Sequence, residues 1–188
     1  MRVLFIDNFD SFTYNLVDEF KRQHCDVVIY RNTITMQELA GVCDSYQPDL
    51  IVLSPGPSAP KDAGICIDLI KKYHGKIPLF GVCLGHQCII EALGGTVGNA
   101  PQPVHGKRSA ITYTESTLFA DMPNPFFAGR YHSLCGTTIP ANTTITAHTN
   151  NIPMALQAES TYGVQFHPES ILTTHGSQLI TNLLGALQ

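Results

Sequence analysis

The chain predicts an α/β fold, a mainly parallel sheet flanked by helices that passes into a more antiparallel C-terminal half. Three observations predict it. Through the first third, short β-branched and apolar runs alternate with segments of helical periodicity, the pattern of a parallel sheet with crossover helices. Beyond Gly95 the texture changes to Thr-rich short runs broken by Pro and Gly, which read as antiparallel strands and meander turns. The 188 residues are 44% hydrophobic, and no Gly/Ser linker, charge block or repeat separates the two textures. A chain of this length can bury roughly 70% of its unfolded surface, so one domain over residues 1–188 is expected.

Taken in order, Val3 to Ile6 reads as a buried strand, after which Asp10 or Ser11 can cap a helix with Phe12, Leu16, Val17 and Phe20 on its apolar face. Val27 to Tyr30 is a second strand. Thr35 and Glu38 have the spacing of a capping box and open a short helix through Leu39 and Val42, which Pro48 ends before a third strand, Leu50 to Leu53. Gly64 to Tyr73 predicts a helix with Ile67 and Ile70 inward, Ile77 to Val82 a fourth strand, and Leu84 to Leu93 a helix stopped by Gly94-Gly95. In the second half, Ala110 to Tyr113, Thr143 to Thr149, Met154 to Ala158 and Tyr162 to Phe166 read as antiparallel strands. Ser177 to Leu187 closes the chain as a helix, apolar at Leu179, Ile180, Leu183 and Leu187.

Composition narrows the function. Charged residues are only 14% of the chain, against roughly 25% in an average soluble domain. The 11 Lys and Arg face 15 Asp and Glu, and the longest basic cluster is Lys71-Lys72, too little to neutralise a nucleic-acid backbone. No apolar run approaches the roughly 18 residues that span a bilayer. Six cysteines (Cys25, Cys43, Cys66, Cys83, Cys88, Cys135) lie scattered without a CxxC pair, and the start of the chain turns polar at Asp7, so neither a disulfide framework nor a signal peptide is expected and a cytoplasmic setting is.

The sharpest local feature is Gly81-Val82-Cys83-Leu84-Gly85, placed where an apolar strand meets a helix. In a nucleophile elbow the reactive residue is forced into a strained backbone and its neighbours must be small, because strand and helix pass close together. A cysteine there also feels the positive end of the helix dipoles, which favours the thiolate. Cys83 is therefore either a packed core residue, as isolated cysteines mostly are, or a nucleophile. A cysteine nucleophile needs a base and a group that orients the base. Gly163 to Glu169 offers both: Pro168 keeps His167 out of the α region, and in an extended backbone residues 167 and 169 face the same way. Ser54-Pro55-Gly56-Pro57 follows the third strand at the same sheet edge, where ligands of open α/β sheets bind; two prolines stiffen the loop and Gly56 keeps an unobstructed N–H. A rival constellation pairs Cys83 and His86 with His132 and Cys135 as ligands of a tetrahedral metal in a non-catalytic binding domain. A phosphate-cradling cofactor site is disfavoured, since the first strand-helix turn, Asp7 to Ser11, has no glycine.

Together these motifs resemble the class I, or triad, glutamine amidotransferases over essentially the whole chain. The matching stretches are Asp7 to Asn15, Ser54 to Pro57, Gly81 to Gln87, His105 to Lys107, Arg130 to Leu134 and Phe166 to Thr173. The first, fourth and last look like the branch that serves chorismate-using synthases, those of anthranilate or of aminodeoxychorismate. Arg130 to Cys135, Ile139-Pro140-Ala141 and Thr146-Ala147-His148 are more similar to the anthranilate subunit. The resemblance implies the family's flavodoxin-like fold and glutamine hydrolysis, with Cys83 as nucleophile, His167 as general base and acid, and Glu169 orienting His167. It implies an oxyanion hole from the Gly56 and Leu84 backbone N–H groups, and further glutamine contacts from Pro57, Ser58, Gln87, Ser133 and Leu134. Ser58 departs from the pattern: many members carry glycine there, and a serine resists a left-handed backbone. Further implied are L-glutamine as substrate, no metal or cofactor in this chain, and Mg²⁺ in a partner. That partner is the anthranilate synthase large subunit (component I), in a heterodimer or heterotetramer that makes anthranilate and pyruvate from chorismate for tryptophan synthesis.

Overall fold

The computed structural model describes residues 1–188. Its first half winds as β1 (Arg2–Asp7), α1 (Thr13–Arg22), β2 (Asp26–Arg31), α2 (Met36–Tyr46), β3 (Leu50–Leu53), α3 (Cys66–Tyr73), β4 (Leu79–Val82) and α4 (Leu84–Ala92). The second half adds β5 (Thr96–Asn99), β6 (Lys107–Tyr113), β7 (Phe126–Arg130), β8 (Leu134–Thr138), β9 (Thr144–Thr149), β10 (Ile152–Ala158), β11 (Thr161–Val164) and α5 (Gly176–Gly185). Nine strands form one sheet in the order β2-β1-β3-β4-β11-β10-β9-β6-β7, and β5 pairs with β8 apart from it. The first five are mutually parallel, and every pairing from β11–β10 to β6–β7 is antiparallel.

Alternation along the central strands explains why the sheet is covered on both faces. Val3, Phe5, Val52 and Val82 point into one apolar cluster with Leu16, Val17 and Phe20 of α1 and Leu179, Ile180 and Leu183 of α5. Leu4, Ile6, Ile51 and Leu53 point into a second, against Leu39 of α2, Leu69 and Ile70 of α3 and Ile89 of α4. The helix caps are local chemistry. The Thr35 hydroxyl accepts from the Glu38 N–H while the Glu38 carboxylate accepts from Thr35, the reciprocal bonds of a capping box.

The structure corrects several expectations. Neither Asp10 nor Ser11 caps α1; Phe12 occupies the cap position, and Asp10 instead accepts from the Phe12 N–H at 2.7 Å in the preceding turn. Phe12 is only half-buried, turned toward the sheet edge rather than the core. On α3 the inward residues are Cys66, Leu69, Ile70 and Tyr73, with Ile67 at the margin. Most consequential is the strand in Tyr162–Phe166: β11 is antiparallel to β10 but parallel to β4, because the tight turn at Glu159, at φ +51°, folds it back beside the first-half sheet. It welds the halves together and aligns Val164 with Val82. The carboxyl ends of β1, β3, β4 and β11 thus share one edge. No helix is long and apolar enough to cross a membrane.

Candidate active site

Cys83 leaves β4 with φ +52° and ψ −99°, a conformation a residue with a Cβ rarely adopts. The strain is held from both sides: its N–H donates to the Val164 carbonyl at 2.8 Å, and its carbonyl accepts from the Gln87 N–H at 3.0 Å as α4 begins. Close passage makes this possible, since a Cβ on Gly85 would stand 2.3 Å from the Leu53 carbonyl oxygen. The thiol therefore sits at the N-terminus of α4, 7% exposed, where the backbone dipoles favour negative charge.

Three residues beyond the end of β11 the chain presents His167. Its N–H donates to the Gly129 carbonyl and its own carbonyl accepts from the Thr173 hydroxyl, so the segment is pinned against β7. The imidazole Nδ1 lies 2.6 Å from Oε1 of Glu169, whose side chain is fully buried, and the rings of Phe12 and Tyr131 flank it edge-on. Burial alone would pull the imidazole's proton affinity down. The Cys83 sulfur and the Glu169 carboxylate more than offset that, and the His167 pKa stands well above its ordinary value. Nε2 has no partner in strict hydrogen-bond geometry, so Cys83 acts on the ring chiefly through its charge.

The loop after β3 closes the site. Ser54 is fully buried, its hydroxyl accepting from the Asn8 N–H at 2.8 Å while the Asn8 side-chain amide donates back to the Ser54 carbonyl at 2.8 Å. Asn8 is itself fixed by Asn32 and the Cys66 thiol, both donating to its Oδ1. Gly56 is drawn so near that a Cβ on it would stand 2.6 Å from both Asn8 and Leu84. Neither the Gly56 nor the Leu84 N–H donates to a protein acceptor, which leaves two donors free beside the thiol. Ser58 adopts φ +68° and so takes the left-handed backbone its side chain resists.

Between this loop and the turn from β7 to β8 lies a cleft of about 150 Å³ lined by Cys83, Gly56, Pro57, Ser58, Gln87, Ser133 and Leu134, so those residues are gathered at one place. Leu84 contributes backbone only, its side chain being part of the core. The Leu134 carbonyl accepts from both Gln87 and His132, and the Ser133 carbonyl accepts from Ala100, so contact with a bound molecule falls mainly to N–H groups of this turn. The volume is well under the roughly 300–1,000 Å³ of pockets for drug-sized ligands and suits a small polar molecule. A larger polar cleft of about 510 Å³ lies behind Glu169, between α1 and residues 168–178, and does not reach Cys83.

Asn8, Tyr131 and Gln165 belong to the site although sequence reasoning assigned them no role, their significance lying in contacts across the fold rather than in spacing; His132, which the sequence offered only as a rival metal ligand, belongs to it too. His132 is buried and its imidazole is pushed down to about 4 by desolvation and by the Arg130 guanidinium. The rival metal set does not assemble: His86 is wholly buried against Gly163, and no three His, Cys, Asp or Glu side chains gather in a ligand cluster.

Comparison with known proteins agrees with the geometry. Residues 4–186 match the family model described as glutamine amidotransferase class-I. The chain is 44% identical over 184 residues to a protein of Vibrio parahaemolyticus named anthranilate synthase component 2, covering 97% of this chain and 94% of that one. It is 47% identical over 176 residues to a Methanocaldococcus jannaschii protein of the same name, covering 92% and 86%. A solved glutamine amidotransferase of Thermotoga maritima superposes with a TM-score of 0.79 at 16% identity, over 100% of this chain and 97% of that one, a likeness of fold.

Proposed function

The chain belongs to the class I glutamine amidotransferases, and from that membership we propose that it is the glutaminase subunit of an anthranilate synthase. The observation that carries the chemistry is the strained Cys83 elbow facing a buried His167 held 2.6 Å from Glu169. In this reading Cys83 is the nucleophile, His167 the general acid and base, and Glu169 the group that keeps the Nδ1–H tautomer and supports the imidazolium.

Glutamine enters the cleft with its carboxamide beside Cys83. The thiolate attacks the amide carbon, and the oxygen that becomes negative is met by the Gly56 and Leu84 N–H groups, fixed before the reaction begins. His167, carrying a proton, gives it to the departing nitrogen, and ammonia leaves a glutamyl thioester on Cys83. Water then attacks the thioester with His167 as base, releasing glutamate and restoring the thiolate. Pro57, Ser58, Gln87, Ser133 and Leu134 hold the amino-acid end. No cofactor enters these steps; Mg²⁺ and chorismate belong to the partner.

The ammonia is passed to a component I subunit, which aminates chorismate to anthranilate and pyruvate. Relatives named component 2 support a partnership of this kind. Exposed apolar side chains on the reactive edge support a docked face there: Phe9 and Tyr14 around the start of α1, and Ile171, 97% exposed, just beyond Glu169. Mixing the purified chain with chorismate, Mg²⁺, glutamine and either an anthranilate or an aminodeoxychorismate synthase subunit tests the assignment by product. Anthranilate from the first and nothing from the second is expected. Aminodeoxychorismate alone would overturn the pathway assignment.

A further inference from the structure

The sulfur of Cys83 has a second polar neighbour besides His167. Gln165 is fully buried on the segment that links β11 to His167, and its Nε2 lies 3.7 Å from Cys83 Sγ, within reach of an N–H···S bond. An amide can be turned either way, so the assignment must come from its other partners. Here they decide it. Gln87 Nε2 donates one hydrogen to the Leu134 carbonyl at 3.1 Å and the other to Gln165 Oε1 at 3.2 Å. With its oxygen held by Gln87, Gln165 can present only its N–H₂ to the sulfur. The Leu134 carbonyl is fixed in turn by His132, whose Nδ1 donates to it at 2.8 Å while Nε2 accepts from the Arg130 guanidinium at 3.0 Å. A buried arginine thus sets the tautomer of a neutral histidine, and the remaining groups follow in order to the sulfur.

We infer that Gln165 is a catalytic residue, donating a hydrogen bond that stabilises the Cys83 thiolate, and that Gln87 serves as the positioning residue that orients its amide. A hydrogen bond to the charged form of a group favours ionisation, and in a water-excluded site such a donor keeps its full strength. Gln87 then acts twice. Both of its N–H bonds are used within the protein, while its Oε1, with no protein partner, remains available to an N–H of the substrate in the cleft. The ionisable groups that face the sulfur's surroundings are His167 with Glu169 behind it beyond β11, and Tyr131 and His132 beyond β7 with Arg130 behind His132; His86 on α4 is turned against Gly163, and the Ser54–Ser58 loop supplies none. Gln165 is an uncharged side-chain donor to the sulfur, and its contribution to the thiolate is separable from the charge of His167.

The inference rests on Cys83 being the nucleophile, and the experiment separates the two. The rate of Cys83 alkylation by iodoacetamide is followed by mass spectrometry across a pH series for the wild-type chain, Gln165→Met and Gln165→Asn. The first variant removes the donor at similar length, and the second keeps an amide but withdraws it by one methylene. Either variant that gives a cooperative thermal transition serves. Loss of the donor is expected to raise the alkylation midpoint by about one pH unit, a tenfold smaller thiolate fraction below it. The glutaminase kcat at neutral pH should fall by a similar factor, with KM little changed. Selective alkylation of wild-type Cys83 with unshifted midpoints in the variants would overturn the role of Gln165 alone. No selective reaction at wild-type Cys83 would overturn the nucleophile and this role with it.

Discussion

Gly81 and Gly85 meet backbone to backbone: a Cβ on Gly81 would stand 2.5 Å from the carbonyl carbon and oxygen of Gly85. That contact brings β4 and α4 together tightly enough for Cys83 to be bent out of the sheet. The obstructing atoms are backbone, which cannot move aside as a flexible side chain could. Gly81→Ala is accordingly expected to destabilise the chain by about 3 kcal/mol, at the upper end of overpacking costs. A urea-unfolding midpoint close to that of the wild type would show that the two elements are less tightly joined.

His167 and Glu169 make physically different contributions, so their variants should separate. His167→Ala removes both proton transfers and is expected to lower the glutaminase kcat by about 10³-fold or more. Glu169→Gln retains an oxygen that can accept the Nδ1–H bond and should cost less, by roughly an order of magnitude. Steady-state kinetics of the two variants decide it. Equal losses would give Glu169 a role beyond orienting the ring.

Ser58 is held at φ +68°, where a residue with a Cβ carries a cost of about 1–2 kcal/mol. Ser58→Gly removes that cost, partly offset by glycine's greater freedom in the unfolded chain, and should stabilise the protein by about 1 kcal/mol. In a chain of this size that is a rise in Tm of about 2–4 °C. A fall in Tm would mean that the serine side chain compensates its own backbone strain.

Stability should depend on pH through two buried histidines. Desolvation pushes His86 down to about 3; desolvation and Arg130 push His132 down to about 4. When the chain unfolds, both return to an ordinary pKa of about 6.5, so below that pH the unfolded state binds protons that the folded state refuses. Unfolding free energy must then fall as pH drops from about 6.5 toward 4, approaching roughly 1.4 kcal/mol per pH unit for each histidine. His167, raised rather than lowered, stays protonated in the folded chain and opposes the trend only near pH 6.5; about one pH unit lower it is protonated in both states and contributes nothing to the slope. Urea titrations at a series of pH values should give this slope, and His132→Gln should remove about half of it.

What was legible in the sequence is what a local constraint writes into adjacent residues. The elbow could be read because strain at one residue demands small neighbours two positions away, and the capping box because its two bonds close over three residues. The parallel pairing of β11 with β4 could not be read, since its partner lies far back in the chain and alternation says nothing about which strand stands alongside. Gln165 and Asn8 were silent for the same reason: Gln165 meets Cys83 across 82 residues of sequence and Asn8 meets Ser54 across 46. Ser58 misled in the other direction. Its side chain argues against a left-handed turn, yet a loop anchored by Ser54 and Asn8 imposes one.

The account stands most directly on Cys83→Ala, measured in the complex with a component I synthase subunit. Glutamine-dependent anthranilate formation should be lost, by at least about 10³-fold, because no other residue of the site can form the thioester. Ammonia-dependent formation should persist at close to the wild-type rate, since the synthase can take ammonia from solution. Glutamine-dependent synthesis retained at the wild-type level in that variant would contradict the account.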